Sequence, residues 1–183
     1  MFYAHYKEVI PRGVCLAWID FAEKKGFEQS LVNQGDGTQK LMTHVRNNER
    51  CIFDDVQLAK YLETALQDLP DFPHIFKDVE YRQTASHFRL YKYSPGQYFK
   101  PHRDGSFEQN GMETEITVLV YLNDTDGGET VLMPLGKQQE WAHISIKPKA
   151  GDVLIFEHHC LHAGLPVDSG VKYVLRTDLF YAD

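Results

Sequence analysis

The stretch YSPGQYFKPHRDGSF, residues 93–107, decides how the rest of the chain is read. It sets His102 and Asp104 one residue apart, just past a proline-glycine turn and a run of aromatic residues. On an extended backbone, residues i and i+2 project to the same side. An imidazole and a carboxylate sharing one side supply two of the three protein ligands of a metal site. The question is whether the chain holds a third.

The segment GDVLIFEHHCLHAGLPV, residues 151–167, offers His158, His159 and His162. Cys160 and Leu161 between them read as buried, which sets these histidines apart from ordinary surface residues. The residues alone leave open which of the three faces the His102–Asp104 pair. After His162 come the turn AGLPVDSG and the strand-like run KYVLRTDLFY, in which Lys172, Val174 and Arg176 share one side with Asp178. Two cations on one side of a strand otherwise rich in Val, Leu, Tyr and Phe are costly to bury without an anion. Either Asp178 supplies it, that side faces water, or a bound carboxylate meets them. Two histidines and one carboxylate form the facial triad that holds non-haem Fe(II) with positions left open.

Working outward, the first 70 residues carry helical signals. In PRGVCLAWIDFAEKKGF the apolar residues Cys15, Trp18, Ile19 and Ala22 fall at helical spacing, with Gly26 as the stop. In DDVQLAKYLETALQDLP, Asp54 or Asp55 caps a second helix whose stripe runs from Leu58 to Leu69, and Pro70 ends it. From about residue 80 the pattern becomes short β-type runs: HFRLYKY, ITVLVYLN, ETVLM, AHISIKP, DVLIFEHH and KYVLRTDLFY. NDTDGGET and PKAGD are turns between them. In ITVLVYLN, Thr117, Leu119 and Tyr121 share one side, opposite Ile116, Val118, Val120 and Leu122. The expected fold is mainly β with some helix (α+β): a sheet sandwich or open barrel buttressed by N-terminal helices. With 183 residues, 43% of them hydrophobic, a single domain is expected, residues 1–80 as helical support and 81–183 as the core carrying the metal site.

A net charge of −7 and the lack of a lysine/arginine-rich run argue against nucleic-acid or anionic-membrane partners. Cys15, Cys51 and Cys160 are scattered and form no CxxC pair, which fits reduced thiols in a cytoplasmic protein. There is no 18-residue apolar run and no signal-peptide pattern at the N-terminus, so the chain is expected to be soluble.

Taken together, residues 87–181 resemble the prolyl 4-hydroxylase group of Fe(II)- and 2-oxoglutarate-dependent dioxygenases. The family's Tyr-x-x-Gly-x-x-aromatic-x-x-His-x-Asp matches Tyr93, Gly96, Phe99, His102 and Asp104. Its tyrosine-bearing strand matches TVLVYLND, followed by the GGET turn. The resemblance implies a double-stranded β-helix, or jelly roll, with iron held by His102, Asp104 and His162. It selects His162 because a basic residue, Lys172, stands ten positions later, whereas Asp168 and Ser169 follow His158 and His159 at that distance. Tyr121 would hold 2-oxoglutarate through its hydroxyl and Lys172 would grip the distal carboxylate. Arg176 competes for that role, since arginine suits a bidentate carboxylate contact. Tyr93 belongs with the co-substrate residues as a packing and positioning group.

The implied activity is hydroxylation of an unactivated C–H bond with O2, releasing succinate and CO2, with ascorbate as a possible reductant. The expected partner is a peptide, protein or small molecule; the family motifs leave its identity and the oligomeric state open. The loops GTQKLMTHVRNNER, within the Gly35–Arg50 region, and GSFEQNGMET are candidate substrate contacts. Two rival readings stand beside this one. The first is a catalytically silent jelly-roll metal-binding module; the second is a cupin-type metalloenzyme without 2-oxoglutarate, which would have no use for Lys172 and Arg176.

Overall fold

The computed structural model describes residues 1–133 and 143–183. All six expected β-type runs form strands; Ala142, the first residue of AHISIKP, lies outside the described residues. The strand Met112–Tyr121 shows why. Its alternation sends Ile116, Val118 and Val120 into one apolar cluster and Leu119 and Tyr121 into another. Both faces of this strand are therefore buried, which β-branched and aromatic side chains tolerate well.

The larger sheet runs, edge to edge, through Tyr3–Tyr6, Val153–Glu157, Met112–Tyr121, Lys172–Ala182, His87–Tyr93, Glu49–Asp54 and Glu28–Gln29. Neighbours are antiparallel, and most are far apart in sequence. A second sheet of four strands runs Ile144–Ile146, Thr130–Met133, Leu161–Gly164 and Phe99–His102. Leu119, Tyr121, Phe156 and Val174 of the first sheet pack with Leu132 and Ile146 of the second. This is the expected double-stranded β-helix, as an open sandwich rather than a closed barrel.

Helices α1 (Arg12–Lys25) and α2 (Val56–Leu66) cover the outer face of the larger sheet. Cys15 and Ala22 of α1 and Leu58, Leu62 and Leu66 of α2 meet Phe88, Leu90, Val118, Ile155 and Leu175. Gly26 ends α1 with a φ of 100° and returns its N–H to the Ala22 carbonyl. Asp55, rather than Asp54, caps α2, its carboxylate accepting from the Gln57 and Leu58 N–H groups. The α2 helix stops at Leu66, short of Pro70. Proline has no N–H to return to the Leu66 carbonyl and disfavours helical backbone at Leu69.

The first 80 residues are more than the helical support expected of them. Tyr3–Tyr6 forms one edge of the larger sheet, and Glu49–Asp54 with Glu28–Gln29 forms the other side. These strands are made by pairing with residues 153–156 and 87–92, so no local periodicity announces them.

Replacing Asp55 by Ala removes the one oxygen that accepts both capping hydrogen bonds, and urea denaturation should show a stability loss of about 1 kcal/mol. The metal-site geometry should be unaffected.

Candidate metal centre

The pairing of Phe99–His102 with Leu161–Gly164 sets His102 directly opposite His162. Their rings lie 4.2 Å apart. Asp104 follows two residues after His102, its N–H anchored to the His158 carbonyl at 3.1 Å. One ligand atom from each of His102, Asp104 and His162 lies within 4.8 Å of the others.

Each imidazole is oriented through Nδ1. His102 Nδ1 is 2.8 Å from the Lys100 carbonyl oxygen, and His162 Nδ1 is 2.9 Å from that of Cys160. A carbonyl can only accept, so both Nδ1 atoms carry the proton and both Nε2 lone pairs are free. These Nε2 atoms face Asp104, at 3.9 Å from Oδ1 for His102 and 3.7 Å from Oδ2 for His162. Phe99 stacks on His102 and Phe156 packs against His162, fixing the ring planes.

The electrostatics suit ligation. Burial, reinforced by His162, pulls His102 down to about 3. Burial likewise lowers His162. Burial alone would raise the Asp104 carboxyl, but Arg176 at 3.0 Å, with the two histidines, holds it well below the usual carboxylate range. Thr117 donates its hydroxyl to Asp104 Oδ2 at 2.6 Å. Two neutral imidazoles and one ionised carboxylate on a single face fit a divalent non-haem iron.

The other two histidines of residues 158–162 lie elsewhere. His158 is buried against Asp178, with Nε2 at 3.2 Å from Oδ1. His159 is exposed, and its carbonyl accepts from Arg103 Nε. Lys172 and Arg176 share the inner face of their strand but part company. Arg176 bridges Asp104 and Asp178, at 3.0 and 3.1 Å. Lys172 enters a small cavity behind the ligands, lined also by Tyr93, Thr130, His162 and Gly164. Its Nζ donates to the Gly128 carbonyl at 2.7 Å, and among the described residues no carboxylate pairs with it. Burial brings this amine down to about 8, with Glu129 opposing. Gly128 permits the approach: it sits at φ 72°, and a Cβ there would lie 3.2 Å from Lys172 Cδ.

Tyr93 lines this cavity directly, its hydroxyl pushed up to about 12 by burial against the pull of Arg46. Tyr121 does not line it. Its hydroxyl is fully buried and donates to Thr130 Oγ1 at 2.8 Å, leaving Thr130 as the group at the wall. The sequence reading passed over Thr130 and Thr117, and it included Arg46 only as part of the loop GTQKLMTHVRNNER, a candidate substrate contact. Thr117 was detectable, since it shares the inner side with Leu119 and Tyr121. Arg46 could not be singled out within that loop, because long-range pairing with Phe99 and Lys100 is what brings it to the site.

A model of the 2OG-Fe(II) oxygenase superfamily matches residues 88–177, which span both histidines, the aspartate and both cations. The chain belongs to that superfamily. Its relatives within the 2OG-Fe(II) oxygenases are prolyl 4-hydroxylase-like. A putative prolyl 4-hydroxylase of Acanthamoeba polyphaga mimivirus is 27% identical over 182 residues, covering 87% of this chain and 66% of the relative. Among solved structures, the viral collagen prolyl hydroxylase of Paramecium Bursaria Chlorella virus-1, in complex with 2-oxoglutarate, aligns at a TM-score of 0.68 with 24% identity. That alignment covers 100% of this chain and 97% of the other. A Trichoplax adhaerens prolyl hydroxylase bound to a hypoxia inducible factor peptide aligns at 0.73 with 15% identity, covering 99% and 83%. The first curated relatives are spanned over about a third to two thirds of their length.

His102→Ala, Asp104→Ala and His162→Ala should each abolish Fe(II) binding measured anaerobically by calorimetry, while His159→Ala keeps it. Thr117→Val, which removes only the hydroxyl on Asp104, should weaken the metal by about 10–100-fold. Retained iron binding in His162→Ala would contradict the ligand assignment.

Proposed function

We propose that the protein is an Fe(II)- and 2-oxoglutarate-dependent dioxygenase that hydroxylates a C–H bond in a peptide side chain, a prolyl ring first among them. The observation carrying this reading is the buried ammonium of Lys172, without a carboxylate partner among the described residues, behind a two-histidine, one-carboxylate metal site. A buried cation without a counter-charge is costly, and a dicarboxylate co-substrate offsets that cost. A metal-binding module or cupin-type enzyme has no need of it. The prolyl hydroxylase relatives and the peptide-bound structural neighbour support the substrate class.

Iron and 2-oxoglutarate, when bound, supply the oxidative decarboxylation that delivers one oxygen atom to the substrate and one to succinate. The chain supplies positions and charges. His102, His162 and Asp104 hold the metal, with both imidazoles neutral and the carboxylate ionised. Lys172 grips the distal carboxylate, and the hydroxyls of Tyr93 and Thr130 complete the cradle. Tyr121 acts through Thr130: because its O–H is donated to Thr130 Oγ1, the Thr130 proton stays free to point into the cavity. Arg176 keeps Asp104 ionised and oriented, which makes it a positioning residue for the metal rather than the grip on 2-oxoglutarate. Cys15, Cys51 and Cys160 are free and buried, which supports a reducing, cytoplasmic setting.

Purified protein given Fe(II), 2-oxoglutarate and O2 should release succinate, and a proline-containing substrate peptide should gain one oxygen atom by mass spectrometry. No succinate above the His102→Ala background overturns the reading. Lys172→Met should weaken 2-oxoglutarate binding roughly 30-fold to several thousand-fold, the equivalent of ~2–5 kcal/mol. Arg176→Met should act mainly on the metal. The ammonium is present below about 8 and lost above it, so affinity for 2-oxoglutarate should fall as pH rises through that value. Above it the limiting slope is about tenfold per pH unit. Lys172→Met should lack this dependence, and a wild-type affinity that does not fall with pH would contradict the assignment.

A further inference from the structure

In front of the candidate metal ligands lies an open groove of about 850 Å³, lined by five arginines, Arg46, Arg50, Arg89, Arg103 and Arg176, against three carboxylates, Asp54, Asp104 and Glu108. The whole chain carries −7, so this concentration of positive charge runs against the overall balance. Arg50 is matched by Glu28 at 3.0 Å. Arg89 and Arg176 stand directly opposite each other on neighbouring strands and share Asp178, at 3.5 and 3.1 Å. Arg176 also pairs with Asp104, at 3.0 Å.

Arg46 has less still. It is 5% exposed, its Nε donates to Asn48 Oδ1, and its guanidinium lies 4.0 Å above the Phe99 ring and 4.8 Å above that of Tyr91. Among the described residues it has no carboxylate partner. Arg46 Nη2 and Arg89 Nη1 are both buried without a hydrogen-bond acceptor. Arg89 is two residues from Tyr91 on the same face of its strand, and both Arg46 and Arg89 line the groove.

We propose that the substrate brings the missing negative charge: the groove selects a peptide with an acidic side chain beside the residue that is oxidised, its carboxylate taken up by Arg46 and Arg89. This rests on the dioxygenase reading and narrows its substrate class. The groove extends from Leu31 and Val32 to Glu108 and Gln109, more room than a small free acid fills. A nucleic acid fits less well, since Arg46 covers the aromatic faces of Tyr91 and Phe99 on which bases would stack.

The test uses full-length protein loaded with Mn(II), which binds without turnover, and saturating 2-oxoglutarate. Three fluorescein-labelled peptides share a central proline and differ only in whether the two flanking residues are Glu, Gln or Lys. Fluorescence anisotropy should show the Glu peptide binding at least about tenfold tighter than the Gln peptide, and the Lys peptide weakest. In Arg46→Gln and Arg89→Gln the Glu preference should shrink to under about threefold. It should also shrink in wild-type protein as salt rises toward about 1 M, a measurement that does not depend on how the variants fold.

Wild-type affinities for Glu and Gln peptides within about threefold, or no binding by any of the three, overturn the proposal. So does a preference that survives both substitutions, or displacement of the Glu peptide by a shorter oligothymidylate at equal concentration. Succinate release without peptide, measured in parallel with Fe(II), separates the two levels. Its absence sinks the dioxygenase reading, while its presence with no Glu preference sinks this proposal alone.

Discussion

The strand Lys172–Ala182 buries Lys172, Arg176 and Asp178 on one face inside a β-sandwich, and the rest of the site is built around that constraint. Unpaired, such charges would cost far more than the few kilocalories by which a domain is stable. Asp178 and Arg176 meet counter-charges within the chain. Asp178 faces Arg176, Arg89 and His158, and Arg176 continues to Asp104. Lys172 has the Gly128 carbonyl and a cavity. The candidate metal ligands are thus one end of a continuous buried charge network rather than three residues on a loop. Removing either end of such a network leaves a buried charge exposed to low dielectric, which is more damaging than losing a surface pair.

The sandwich makes this arrangement rigid. His102 and His162 belong to neighbouring strands of the small sheet, while Thr117, Arg176 and Lys172 come from two neighbouring strands of the large one. The site forms where the two sheets face each other. Packing of Leu119, Tyr121, Phe156 and Val174 against Leu132 and Ile146 sets the spacing between them. Backbone carbonyls at Lys100 and Cys160 then fix which nitrogen of each histidine faces the metal. Sheet register, more than any single side chain, places the donors.

Much of this was legible in the sequence. The period-2 pattern of ITVLVYLN and KYVLRTDLFY correctly sorted inner from outer residues, because both strands are buried on two faces and tolerate few exceptions. The spacing of His102 and Asp104 marked them as a same-side pair in need of a third ligand. Choosing His162 over His158 and His159 took the family resemblance, through Lys172 ten positions on, since all three lie within five residues and the pairing of Leu161–Gly164 with Phe99–His102 that separates them is long-range. The division of labour between Lys172 and Arg176 was hidden. Both point inward, and only the position of Asp104, brought over from another strand, shows which one is already occupied. The edge strands Tyr3–Tyr6 and Glu49–Asp54 escaped because long-range pairing, rather than local pattern, makes them. Tyr121 looked like a direct ligand contact, but Thr130, placed by the GGET turn, stands at the cavity wall in its stead.

If the buried cation and the metal together form one binding site, 2-oxoglutarate must sense both. Anaerobic calorimetry of 2-oxoglutarate binding, with and without Fe(II), measures that coupling directly. The charge arrangement predicts one site per chain, with affinity at least about tenfold higher in the iron-loaded protein, a coupling of about 1.4 kcal/mol or more. Equal affinity with and without iron, or no binding to the loaded protein, would contradict it.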